Sequence, residues 1–279
     1  MIIEKLAINT SRQQRVSVII PTRNSSRTIE PCIRSIKHQT HQNIEVIIVD
    51  GNSSDDTASI AKSHDATVVT LDSERTKAKN LGTSYSSGDY VLFLDSDMVL
   101  EPSVIENCMK LCSEDEKAAG VIIPERSVGS GYWVKVRDFE RSFYEGTRIE
   151  SARFFKKDLV EKVGGFDESV VFFEESTLPQ KIEALGLRVN ARIGSCIFHD
   201  ENGFKLGKWL NKKKYYVNSA KAYSAKYDGY ANNQMSISYR VNAFISNGKW
   251  RRLFRHPILA VGLFTLKGLE YIYSKSGQK

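Results

Sequence analysis

The sequence predicts an α/β protein: a mostly parallel sheet with flanking helices, followed by a basic helical C-terminal segment. Three observations predict it. First, apolar runs of strand length recur through the first 100 residues: VSVII (16–20), IEVIIVD (44–50), ATVVTL (66–71) and DYVLFLD (89–95). Second, segments of helical period separate them, giving a βαβαβαβ order. Third, polar residues close three of the runs: Pro21-Thr22-Arg23-Asn24, Asp50-Gly51-Asn52 and Asp95-Ser96-Asp97. Ligands of open α/β sheets bind beyond the carboxyl ends of the strands, so these tips predict a site.

Each element has its own signal. After the first strand, turn residues lead to Ile29, Ile33 and Ile36 at helical spacing. GNSSDDT is a loop, and Asp55 or Asp56 is placed to cap the helix TASIAKSHD. SERTKAKNLGTSYSSG reads as a helix stopped by its glycine. The next hundred residues are less regular. VIENCMKLC is a helix, AAGVIIPE a strand, and WVKVRDFERSFYEG a helix. RIESARFFKKDLVEKVGGFDES reads as a strand, a short helix and a Gly-Gly turn. A Glu174-Glu175 pair then opens a helix, and RIGSCIFHD is a last strand reaching His199.

The bulk numbers limit the function classes. At 279 residues, 41% hydrophobic and 26% charged, the chain suits one large soluble α/β domain or a domain with an appendage. MIIEKLAINTSRQQR has no apolar core behind a basic start, so no signal peptide is expected. The cysteines (Cys32, Cys108, Cys112, Cys196) form no CxxC pair; Cys108 and Cys112 would share a helix face as reduced core thiols. A reducing, cytoplasmic location is the expectation. The net charge is +7 but uneven: residues 205–255 hold twelve Lys and Arg against one acid, Asp228, for +11. Residues 256–279 add +2, which leaves −6 on the first 204. Such asymmetry points to an anionic partner.

Asp95-Ser96-Asp97 raises the chemical question, because burying a charge at the end of a core strand is costly. On extended chain, residues i and i+2 point the same way, so both carboxylates can converge on one object. A divalent cation shared with substrate phosphates is the natural candidate, and a solvated turn is the bland alternative.

Four blocks, VSVIIPTRN, VDGNSSDDT, RTKAKNLGTSYSSGDYVLFLDSDM and GGFDESVVFFEES, give a resemblance to glycosyltransferase family 2, the inverting GT-A enzymes, over roughly residues 16–200. The resemblance implies a Rossmann-like GT-A sheet in residues 1–204. Residues 16–100 would bind the nucleotide sugar, 101–204 would face the acceptor, and 205–279 would be an extension. It implies a nucleoside-diphosphate sugar donor, UDP- before GDP-, and Mn²⁺ or Mg²⁺ as cofactor. Pro21, Thr22, Asn24 and Asn52 would line the nucleotide pocket, with Asp50 on the base. Lys79 stands where the family carries Arg in an "ARN" run and would reach phosphate. Asp95, with Ser96, would lie against ribose and metal. Asp97 would bind the metal, and His199 would sit beside it. Glu175 matches the family's catalytic aspartate, one methylene longer. Glu174 and Trp209 would face the acceptor. Thr177-Leu178-Pro179-Gln180 replaces the family's Asp-Leu continuation toward Arg, so the acceptor side departs from the pattern.

The tail leaves alternatives open. HPILAVGLFTLKGLEYIY is interrupted by Lys267 and Glu270 and is a poor transmembrane helix. It is either an interfacial helix on an anionic membrane or a helix packed on the chain's own core or on a second subunit. Trp209, Tyr215 and Tyr216 amid lysines favour a membrane-proximal, lipid-linked acceptor and a peripheral position on the inner membrane face. A sugar nucleotidyltransferase would need a Gly-rich loop after strand one, which PTRNSSRT lacks; a dinucleotide enzyme would need GxGxxG. A nucleic-acid module using the tyrosine-rich tail would leave Asp50, Asp95, Asp97 and Glu175 idle, so no nucleic acid is expected.

Overall fold

The computed structural model describes residues 14–171 and 173–276. The N-terminal stretch 1–13 and the side chains of Tyr215 and Tyr216 lie outside the described residues. The chain runs β1 (Val16–Thr22), α1 (Ile29–Lys37), β2 (Ile44–Asp50), α2 (Thr57–Ser63), β3 (Thr67–Thr70), α3 (Arg75–Tyr85), β4 (Tyr90–Phe93), β5 (Met98–Leu100) and α4 (Val104–Glu114). It continues with β6 (Gly120–Ile122), β7 (Glu125–Val128), α5 (Tyr132–Arg141), β8 (Phe154–Lys156), α6 (Lys157–Lys162), α7 (Thr177–Glu183), β9 (Ala191–Arg192) and β10 (Ile197–Asp200). The helices α8 (Leu206–Lys226), α9 (Asp228–Met235), α10 (Ile237–Ile245), α11 (Trp250–Arg255) and α12 (Pro257–Ser276) close it.

A seven-stranded sheet has the order β3-β2-β1-β4-β8-β6-β9. Strands β1 to β4 are mutually parallel, and β8 runs antiparallel to both β4 and β6. Strand β1 is buried on both faces, so its alternating side chains feed two cores. Val16, Val18 and Ile20 pack with Ile29, Ile33 and Ile36 of α1 and with Cys108 and Cys112 of α4. Ile19 joins Val91, Phe93, Phe155 and Leu178 on the other face. The shared-face reading of Cys108 and Cys112 therefore holds, and burial pushes both thiols up.

Two expectations need correction. AAGVIIPE is not one strand. It breaks at Ile123-Pro124, because proline has no N–H to continue a ladder. Its second part starts β7 in a separate sheet of order β5-β10-β7. The strand and short helix read in RIESARFFKKDLVEKVGGFDES are β8 (Phe154–Lys156) and α6, and the strand is only three residues long. Helix α3 ends at Ser86, which turns extended (ψ 143°), and not at a glycine. Gly82 instead lies inside α3, where a Cβ would stand 2.3 Å from Ile19 Cγ2. That glycine lets α3 lie directly on β1.

The C-terminal helices pack on the chain's own core by one face. Ala260, Leu263 and Leu266 of α12 meet Val136, Phe139 and Phe143 on and just after α5, and Phe244 of α10. Lys267 forms a buried ion pair with Glu140, and a second with Glu270 at 2.7 Å.

Candidate active site

The parallel register brings the first two polar tips together, since Thr22 pairs with Asp50. Pro21 lies beside Val49 in the same ladder. Asn24 adopts φ +50°, a left-handed conformation that asparagine tolerates. Its backbone N–H donates to Ser53 Oγ (2.8 Å), and its Oδ1 accepts from Ser54 N (2.9 Å). The loops after β1 and β2 are thus tied to each other. Asp50 is buried and accepts from Ser53 N (2.9 Å) and Ser53 Oγ (2.5 Å). Asn52 is exposed at φ +59°. Thr22 Oγ1 is buried without a hydrogen-bond partner among the described residues. Buried polar atoms are normally satisfied, so this hydroxyl is suited to a ligand.

The third tip divides its two acids. Asp97 faces His199, with Oδ2 3.2 Å from Nε2. Asp95 faces the guanidiniums of Arg153 (3.5 Å) and Arg75 (3.9 Å). Burial alone would raise the Asp95 pKa, but Arg153 and Arg75 overcome it and hold the carboxyl well below its usual range. Ser96 Oγ donates to Ser25 Oγ at 2.9 Å. Behind the two acids stands Glu125, at the start of β7. Its Oε1 accepts from Arg153 Nε (2.9 Å) and Nη2 (2.5 Å), and its Oε2 accepts from Arg141. Oε2 also lies 3.8 Å from His199 Nδ1. Glu125 therefore links the Asp95 side of the site to the Asp97–His199 side. Burial opposes protonation of His199, yet its contacts to Asp97 and Glu125 prevail and push it up to about 9, with Arg141 opposing.

The opposite wall comes from Glu174-Glu175-Ser176, a single 3₁₀ turn entered through Phe173 at φ +57°. Glu174 is buried between Arg75 (3.2 Å) and Lys79 (3.7 Å). Lys79 is also buried, with its Nζ 5.1 Å from the Phe166 ring centroid. Desolvation would raise the Glu174 pKa, and these two cations bring it down. Glu175 behaves oppositely: burial first, then the adjacent Glu174 carboxylate, push it up to about 7. Trp209 of α8 lines the cleft with its indole Nε1 donating to Glu270 Oε1 (2.8 Å) and its ring 3.9 Å from Arg137 Cζ.

Asp95, Glu174, Glu175, His199 and Trp209 share one cleft of about 360 Å³, with Asp97 at its rim through His199. Sequence reasoning missed Arg75, Glu125, Arg141 and Arg153. Glu125 did carry a signal, since it closes the apolar run AAGVIIP as Asp50 closes IEVIIV. The arginines carried none. A divalent cation fits Asp97 and His199 once the imidazole gives up its proton, since the pair then offers one hard oxygen and one imidazole nitrogen side by side at a partly exposed rim. Among the described residues no group of three or more His, Cys, Asp or Glu is placed to hold a metal. Such an ion would complete its shell on oxygens from outside this pair, water among them.

The two sheets, the covering helices and the cleft at the strand C-termini define a GT-A fold. The chain belongs to the family described as Glycosyl transferase family 2, whose model matches residues 17–173. Similar proteins include the chondroitin synthase of Escherichia coli, 27% identical over 201 residues, covering 67% of this chain and 29% of that protein. The GalNAc(5)-diNAcBac-PP-undecaprenol beta-1,3-glucosyltransferase of Campylobacter jejuni is 34% identical over 113 residues, covering 36% and 35%. The chain thus spans about a third of the length of these curated relatives. Among solved structures, a mannosyltransferase from Pyrobaculum calidifontis in complex with GDP-Man and Mn²⁺ superposes with a TM-score of 0.64. It is 21% identical, and the match covers 96% of this chain and 87% of that one.

Proposed function

We propose that this chain is an inverting transferase that moves a sugar from a nucleoside diphosphate to an acceptor hydroxyl in the assembly of a polysaccharide or lipid-linked glycan. The observation that carries the reading is the pairing of unlike groups across one cleft: Asp97–His199 at the rim of one wall and the raised carboxyl of Glu175 on the other. Family membership and a fold seen with GDP-Man and Mn²⁺ support it. In this reading residues 16–100 hold the donor, with Thr22, Asn24 and Asp50 at the nucleoside. Residues 101–204 and the extension 205–279 complete the acceptor side.

Asp97 and His199 would hold Mn²⁺ or Mg²⁺, which when bound supplies neutralisation of the departing diphosphate. Glu175, unprotonated, takes the acceptor hydroxyl proton as that oxygen attacks the anomeric carbon. The new C–O bond forms on the face opposite the breaking bond to the diphosphate, and configuration inverts. Arg75 is held between Asp95 and Glu174 and faces charge that develops on the diphosphate. Glu174 keeps Glu175 basic by its own negative charge.

The test is a thermal-shift screen of UDP- and GDP-sugars with Mn²⁺, followed by turnover of the hits. A ligand selective for the native state raises Tm. Glu175→Gln is expected to retain the shift and lose turnover. If no nucleotide sugar moves Tm or turns over, the reading fails.

A further inference from the structure

The C-terminal helices bury one face and leave the other bare. Phe254, Ile258 and Val261 are 75%, 73% and 68% exposed, and Ile245, Trp250 and Phe264 are exposed beside them in sequence. Within α12, Ile258, Val261 and Phe264 follow one another at three-residue spacing and form a stripe opposite the packed Leu263 and Leu266. Among the described residues, ten of the fifteen exposed large apolar side chains lie between Ile237 and Ile272, on α10 to α12. Contiguous exposed apolar surface marks an interaction site.

We propose that the face built by α10, α11 and α12 docks on an anionic lipid bilayer, with Phe254, Ile258, Val261 and Phe264 in the headgroup–acyl boundary. Charge selects this occupant. Exposed Arg251 and Arg255 interleave with the apolar residues, Lys249 and Arg252 turn inward to backbone carbonyls of Phe143, Glu145 and Ser142, and no acid occurs between Asp228 and Glu270. Glu270 is turned inward, where it accepts from Trp209 and pairs with Lys267. A second copy would bring the same cations together across a two-fold axis with nothing to neutralise them. An anionic bilayer supplies hydrocarbon and negative headgroups at one surface. Among the described residues no helix is long and apolar enough to cross a membrane, so the face lies on the bilayer. Helices α10 and α12 also line the cleft, through Arg240 and Lys267. A docked chain would present the cleft beside the lipid surface. This last point rests on the transferase reading; the docking surface does not.

The experiment is sedimentation of the full chain with phosphatidylcholine vesicles, with and without phosphatidylglycerol, at low and high salt. The chain is expected to pellet with anionic vesicles at low salt and to fall by about tenfold or more on neutral vesicles or in high salt. Arg251→Glu/Arg255→Glu and Phe254→Ser/Val261→Ser should each lose about tenfold or more in binding with Tm unchanged, because all four side chains are exposed. Failure of the wild type to pellet at low salt overturns the proposal. So does pelleting of the two variants to the same extent as the wild type. Sedimentation equilibrium showing a dimer that Phe254→Ser/Val261→Ser breaks, without vesicle binding, assigns the face to a second copy and overturns it too. Donor turnover is measured separately. Its absence would sink the transferase reading and leave the vesicle result standing.

Discussion

His199 Nε2 lies 3.2 Å from Asp97 Oδ2, so the end of β10 is joined to the loop between β4 and β5 across 102 positions of chain. The antiparallel register His199↔Met98 makes that meeting obligatory once the small sheet forms. In the proposed site this pair is the cation half-site. His199→Ala and Asp97→Ala are each expected to lower turnover by about 100-fold or more, since metal ligands rank among the most sensitive positions. Calorimetric titration of Mn²⁺ with the nucleoside diphosphate checks the cause: both variants should weaken the ternary complex and leave Tm nearly unchanged.

Glu174 and Glu175 make a pH prediction. Glu175 must be unprotonated to act as base, and burial with the Glu174 carboxylate pushes it up to about 7. Its active form is therefore complete above that value and lost below it. kcat/KM should rise about tenfold per pH unit below pH 7 and level off above. Glu174→Gln removes the neighbouring negative charge and leaves Arg75 and Lys79 facing Glu175. The rising limb should move to lower pH. A limb that moves upward, or stays fixed, would contradict the electrostatic account.

Glu125 is expected to be a positioning residue. Glu125→Ala leaves Arg141 and Arg153 without their shared, partly buried carboxylate. Breaking a fully buried pair costs about 3–5 kcal/mol, and this partly exposed one should cost less, which chemical denaturation can read. Glu125→Gln keeps acceptor and shape. It should restore part of the stability while His199 titrates at lower pH, visible by NMR of the imidazole, because the negative charge that favours imidazolium is gone.

Gly82→Ala tests the seat of α3. The new methyl would stand 2.3 Å from Ile19 Cγ2 and 3.3 Å from Val49 Cγ2, inside the core of β1 and β2. Overpacking of this kind costs about 1–3 kcal/mol. The shift of α3 should also displace Arg75 and Lys79, so the variant is expected to lose turnover along with Tm. Ile19→Leu in the same chain removes the Cγ2 branch and should recover part of both.

Much of the proposed donor edge was legible in the sequence. Apolar runs ending in Asn24, Asp50 and Asp97 marked strand tips, and in a parallel sheet strand tips share an edge. The first four strands and their helices followed from period alone, because β1, β2 and β4 are buried on both faces and so wear their burial in consecutive residues, while β3 is a half-exposed edge strand. The cleft's other wall was legible as residues but not as roles: Glu174 and Glu175 are neighbours with the same chemistry. Only the packed structure places one between Arg75 and Lys79 and leaves the other to be raised.

What the sequence by itself determined is local: where strands form, which polar residues end them, and that the last 75 residues are basic and apolar at once. What only the tertiary structure decided is convergence. Glu125, Arg141 and Arg153 come from three separate elements and meet because a proline break sends β7 into a second sheet beside β10. The tail was settled in the same way. Helix α12 buries Leu263 and Leu266 against α5, and that choice of face leaves Ile258 and Val261 outside. Helical period names the faces of a helix, and the surface it meets selects between them.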